Sequence, residues 1–215
     1  MFLTTMLAGV LDAFALLTYK VFVGIQTGNL LFVAMGLAGQ LKYWPTALAS
    51  LIAFGVGGLI GATIRRVAAA KRPPPPVLEL AAMMLVLIIW AVVNGLLDSG
   101  GAEQTHRALL AALGGLATGI LGWLFVNTFG IPTTTSYQTG TVLRVITGLA
   151  DWLLGWGDDR SRARRVTGYG LLSLIGYGLG GVVGASAHTR PEAMFVIAGV
   201  LVILLLALAR TSPPG

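Results

Sequence analysis

The chain has 215 residues, of which 56% are hydrophobic and only 10% charged. Soluble domains carry about 25% charged residues, so this composition excludes a sizeable soluble domain and makes lipid the solvent for much of the chain. The net charge of +6 does not point to nucleic acid, because the basic residues lie in short loops between apolar runs, as the Lys and Arg of cytoplasmic membrane loops do.

The first apolar run covers about 2–22 and contains Asp12. No Lys or Arg precedes it, so it reads as a retained span and not as a cleaved signal. Next come Gln26, Thr27, Gly28 and Asn29, which open a short run over 28–40. Pro45 begins a Gly-rich run over 45–63, and Arg65, Arg66, Lys71, Arg72 and Pro73 to Pro76 follow it. Further runs cover 77–97 and 107–126, separated by a polar loop over 98–106. After Pro132, a second polar start at Gln138, Thr139, Gly140 and Thr141 opens a short run over 138–150. A charged loop from Asp158 to Arg165 leads to runs over 166–186 and 191–210 and a tail over 211–215, expected to be disordered. Six runs are long enough to span. The two short ones, about 13 residues and near 20 Å as helices, fall short of a hydrocarbon core of about 30 Å.

The order of elements repeats. Leu48 to Ala62 aligns without a gap to Leu171 to Ala185, and nine of the fifteen positions are identical: Leu48, Ser50, Leu51, Ile52, Gly55, Gly57, Gly58, Gly61 and Ala62. Gly24 to Leu31 (GIQTGNLL) answers Ser136 to Leu143 (SYQTGTVL). In each copy a QTG follows a long run, starts a short one and precedes a Gly-rich span. The chain therefore divides into repeats at 1–97 and 107–210, joined by 98–106 in one membrane domain.

Charge orients the repeats. If the short runs dip into the membrane and return, ten basic residues share one side: Arg65, Arg66, Lys71, Arg72, Arg144, Arg160, Arg162, Arg164, Arg165 and Arg210. Lys20, Lys42, Arg107 and Arg190 take the other. The positive-inside rule then favours an all-α membrane protein with six spans, two short re-entrant or broken helices, two three-helix repeats in inverted topology, and both termini cytoplasmic.

Non-helical polar backbone inside a membrane survives only if buried in protein or lining water. The two QTG starts would aim free N–H groups and the positive ends of helix dipoles at their surroundings. Gln26, Thr27, Gly28 and Asn29, with Gln138, Thr139, Gly140 and Thr141, are thus candidate solute-binding residues; N-capping alone would also explain them. Asp12, costly in a span, is a candidate for proton or ion coupling or for structural packing, and its counterpart in the second copy falls near Gly122. Arg144 could pair with Asp12, hold an anion, or snorkel to the surface. Glu79 is placed at the interface, Asn94 and Asn127 as caps, and the five Trp as an interfacial belt. Gly57 with Gly61, Gly115 with Gly119, and Gly180 with Gly184 form small-residue faces suited to close helix packing or a homodimer. Zero Cys, and His106 and His188 in separate loops, leave no metal site to expect, and no cofactor-binding or catalytic motif is present.

The segments GVLDAF, QTGNLL and IPTTTSYQTGT, and within them Asp12–Ala13, Thr27 to Asn29 and Pro132 to Gly140, resemble the YoaK-like family of bacterial multi-pass membrane proteins, domain of unknown function 1275. The resemblance covers nearly the whole chain. It implies a bacterial cytoplasmic (inner) membrane location and brings no substrate or functional residue with it. The paired polar breaks favour a transporter or channel for a small polar or anionic solute or ion. A membrane enzyme acting on a lipid-like substrate and a non-transporting subunit or scaffold remain the alternatives.

Overall fold

The computed structural model describes residues 1–69, 76–97, 103–124, 127–128, 131–132, 138–155 and 159–211. Its helices, in order, are α1 (Phe2–Tyr19), α2 (Gln26–Leu37), α3 (Trp44–Ala69), α4 (Val77–Leu96), α5 (Gln104–Leu124), α6 (Gln138–Leu154), α7 (Arg160–Ser186) and α8 (Pro191–Thr211). Between α5 and α6, β1 (Asn127–Thr128) and β2 (Ile131–Pro132) form a two-residue antiparallel pair. Five described helices are long and apolar enough to cross a membrane: α1, α3, α4, α7 and α8. The chain is an all-α membrane protein.

Apolar runs located the helices, and local chemistry moved their ends. The Arg160 to Arg165 segment is not a loop but the first turns of α7, a 27-residue helix. Asp159 starts it by accepting from the N–H groups of Ser161 (2.9 Å) and Arg162 (3.0 Å), the partners an N-cap carboxylate satisfies. The Arg162 and Ser161 bonds hold the Asp159 carboxyl below the usual carboxylate range. At the other side of the repeat, α3 likewise runs past Arg65 and Arg66. The short helix α2 has 12 residues, and α6, expected to end at 150, has 17. Both are followed by a glycine in the left-handed region, Gly39 at φ 76° and Gly155 at φ 70°, where a side chain would be strained. Lys71, Arg72, Pro73 to Pro75, residues 98–102 and the 212–215 tail lie outside the described residues.

Helices pack across the two halves. α1 lies on α7, and α3 lies on α5; α2 rests on α3, α6 on α7, and α4 meets both α5 and α8. The aligned glycines explain the closeness. A Cβ at Gly57 would sit 2.2 Å from the Leu116 carbonyl oxygen, and one at the aligned Gly180 would sit 2.0 Å from that of Met6. The reciprocal pair behaves alike: Gly9 faces the Tyr177 oxygen at 2.2 Å and Gly119 faces the Phe54 oxygen at 2.2 Å. Small residues let backbones touch, and here the same touch occurs twice, at aligned positions.

Burial corrects three readings. Trp90 is no interfacial residue: it is fully buried beside Phe14 and Tyr19 in an aromatic core, edge-on to the half-buried Phe195 at 5.3 Å. Asn94 is no cap: it is buried and accepts the Tyr19 hydroxyl at 3.0 Å. Glu79, 1% exposed, is tucked against Arg65 with Nε–Oε1 at 3.5 Å. Asn94 and Trp90 sit inside because a hydrogen-bond partner from another helix meets each there, which a single run of sequence does not display; Glu79 has the ion pair with Arg65, and neither of its oxygens takes a hydrogen bond among the described residues.

Candidate functional site

Between α1 and α2, residues 21–24 run through the interior without helical hydrogen bonds. Buried backbone groups left unpaired would each cost several kcal/mol in an apolar medium, on the order of 2–7. The surrounding side chains prevent this. Asp12, 2% exposed on α1, takes the N–H groups of Val23 (3.0 Å), Gly24 (2.6 Å) and, at longer range, Ile25 (3.4 Å) on Oδ1. Its other oxygen, Oδ2, accepts the hydroxyl of Tyr177 from α7 at 2.8 Å. All these groups donate, so the carboxylate serves as acceptor only.

Asn29 grips the same segment from α2. It is fully buried; its Oδ1 accepts from Phe22 N–H at 3.0 Å, and its Nδ2 donates to the Phe22 carbonyl at 2.7 Å and to Gln26 Oε1 at 2.9 Å. Ser50 of α3 donates to the Phe22 carbonyl at 2.8 Å. Gln26 Nε2 donates to the Val23 carbonyl at 2.6 Å, and the Thr118 hydroxyl of α5 donates to that same carbonyl. Asn29→Ala removes both bonds to Phe22 and is expected to cost about 2–3 kcal/mol. Thermal unfolding in detergent would read this, with Asn29→Asp, which keeps the acceptor and loses the donor, falling between.

The second half is built differently at the matching point. Where α1 carries Asp12, α5 carries Gly122; where α7 carries Tyr177, α3 carries Phe54. A Cβ at Gly122 would meet the Phe54 ring at 3.4 Å. One contact between aligned helices is thus polar in one half and apolar in the other. Asp12 stood out in the sequence. Tyr177, Ser50 and Thr118 did not, although the exchange of Tyr177 for Phe54 in otherwise matched segments was a readable sign.

Of the candidate solute-binding residues, Gln26 is half-buried, Thr27 exposed, Gly28 packed on the Phe22 ring and Asn29 buried. On α6, Gln138 and Gly140 are half-buried, Thr139 is exposed and Thr141 is buried. Arg144 is half-buried one turn further on. The structure joins Asp12, Gln26 and Asn29 around one segment. Gln138 to Arg144 belong to a separate helix that leans on α7, with Val145 and Thr141 facing Gly170. Thr133 to Tyr137, before Gln138, lie outside the described residues. Among the described residues, no three His, Asp or Glu side chains gather as a metal site would require.

A family model described as "Protein of unknown function (DUF1275)" matches residues 1–208. No curated protein and no solved structure matches the chain.

Proposed function

We propose that this chain, which belongs to the DUF1275 family, is a transporter or channel for a small polar or anionic solute in a bacterial inner membrane. In this reading the two halves are inverted repeats, α2 and α6 re-enter without crossing, and both termini are cytoplasmic. Paired helix breaks at corresponding places are the build of secondary transporters, and the cross-packing of α1 on α7 and α3 on α5 supports it.

The observation that carries the reading is the asymmetry of the two breaks. The N–H groups ahead of α2 already close on a built-in anion, Asp12. The matching position in the second half is Gly122, which brings no carboxylate. A solute anion is then drawn to the second break, where the N-terminus of α6 offers the N–H groups of Thr139 and Gly140 and a favourable dipole. There Thr139 is exposed, and among the described residues a Cβ at Gly140 would meet nothing within 4 Å. Asp12 thus fills the first break with its own carboxyl group, held by Val23, Gly24 and Tyr177.

Proteoliposomes test this with chloride, nitrate and formate as anions and glycerol and urea as neutral solutes. Flux of at least one of them is expected above that of protein-free vesicles. Gly140→Leu and Thr139→Val are expected to reduce it about tenfold, the cost of losing one or two good contacts, while Thr27→Val leaves it within about twofold. The closed, fully satisfied first break favours a second reading, a non-transporting membrane subunit. Absence of flux for every solute would establish that reading over transport.

A further inference from the structure

We propose that the exposed face of the first three turns of α7 binds the phosphate-bearing headgroup of an anionic lipid. Ser161, Arg164, Arg165, Gly168, Tyr169 and Leu172 line one open groove of about 430 Å³. Their spacing puts them on a single helix face. The guanidinium fork matches phosphate oxygens in pairs, and Arg165 Nη1 is steadied by Ser161 Oγ at 3.1 Å. The N–H groups of Ser161 and Arg162 are already taken by Asp159, so the two arginine side chains and not the helix end supply the donors.

Charge is sorted across α7. On the side toward α6, a second groove is lined by Asp151, Asp159 and Arg162. Arg160 lies over Gly155, where a Cβ would meet its Nη2 at 2.7 Å. Among the described residues, the groove of Arg164 and Arg165 has no carboxylate in its lining, although Arg165 also feels the charge of Asp159. An anion is therefore better favoured on that side than on the other.

Polarity is also graded along the groove. Arg164 and Leu172 are eight residues apart, about 12 Å along the axis. Between them Gly168 leaves a notch, since among the described residues a Cβ there would meet nothing within 4 Å. Tyr169, an interfacial residue type, comes next, and Leu172 is exposed below it. A charged head above, a notch, and an apolar floor below fit a phospholipid better than free phosphate, which has no use for Tyr169 and Leu172. The proposal is independent of the transport reading.

The test uses the full chain in neutral detergent with fluorescent phosphatidylglycerol as the probe. Unlabelled phosphatidylglycerol is expected to displace it, phosphatidylcholine to fail, and inorganic phosphate to need about a hundredfold higher concentration. The pair Arg164→Gln with Arg165→Gln is expected to weaken binding about tenfold or more. The pair Arg160→Gln with Arg162→Gln should change it less than about threefold. Thermal unfolding confirms that both double variants remain folded. Equal loss in the two pairs would mean diffuse attraction to positive charge and overturn the site. Displacement by phosphatidylcholine as good as by phosphatidylglycerol, or by inorganic phosphate at equal concentration, would overturn it as well.

Discussion

Asp12→Ala is expected to lower the unfolding temperature of the detergent-solubilised protein by about 10 °C or more. The substitution strands the Val23 and Gly24 N–H groups and the Tyr177 hydroxyl in the interior. At about 1–3 kcal/mol for each of the three buried donors left unpaired, the total is about 3–9 kcal/mol, and each kcal/mol moves the midpoint of a chain this size by about 2–4 °C. Asp12→Asn keeps one carbonyl oxygen but turns an NH2 group toward donors, so roughly half the loss is expected. Tyr177→Phe removes one bond of the set and is expected to cost about 1–2 kcal/mol. In the Asp12→Ala background it should cost almost nothing, because its partner is gone. Additive losses in the double variant, or an Asp12→Ala midpoint within about 2 °C of the parent, would remove the carboxylate from the centre of this network.

Two matched glycine pairs provide the second large effect. Gly180→Ala and Gly57→Ala place a methyl group about 2 Å from a backbone oxygen of the facing helix, far inside contact distance. Backbone cannot rotate away as a side chain can, so the helices must separate, at a cost of about 3 kcal/mol or more. Gly178 and Gly55, also aligned positions, have nothing within 4 Å of the added methyl among the described residues. Alanine there is expected to be neutral or to stabilise by up to about 1 kcal/mol, the helix-propensity gain. The measurement is the set of four unfolding midpoints. Equal responses within each aligned pair, and opposite responses between the pairs, would tie the repeat in the sequence to the repeat in the packing.

What the sequence could convey follows from what is local. Apolar runs placed the helix ends within four residues, except the end of α3 and the start of α7, each six residues off, and Gly-rich segments marked the close contacts. Helix α7 started six residues earlier than the apolar run, because Asp159 caps the helix and arginine is a good helix former; hydropathy registers neither. The QTG of the first half was legible as a break, and Asp12 as a residue needing a partner. That the break's backbone and Asp12 are each other's partners was not legible, since the loop returns to α1 in three dimensions. The same holds for Trp90, Asn94 and Glu79, whose partners come from other helices. The inequality of the halves is written in the sequence: Asp12 against Gly122 and Tyr177 against Phe54 change together.

The pairing of α1 with α7 also bears on biosynthesis. Tyr177, the last hydrogen-bonding partner of Asp12, is made 165 residues after it. Throughout translation of α2 to α6 the first helix waits in the bilayer with its companion still unmade. Fragments ending before α7 are therefore expected to be poor substrates for stable insertion and ready targets for quality-control proteolysis, and an insertion factor that shelters α1 would have its longest task in this protein.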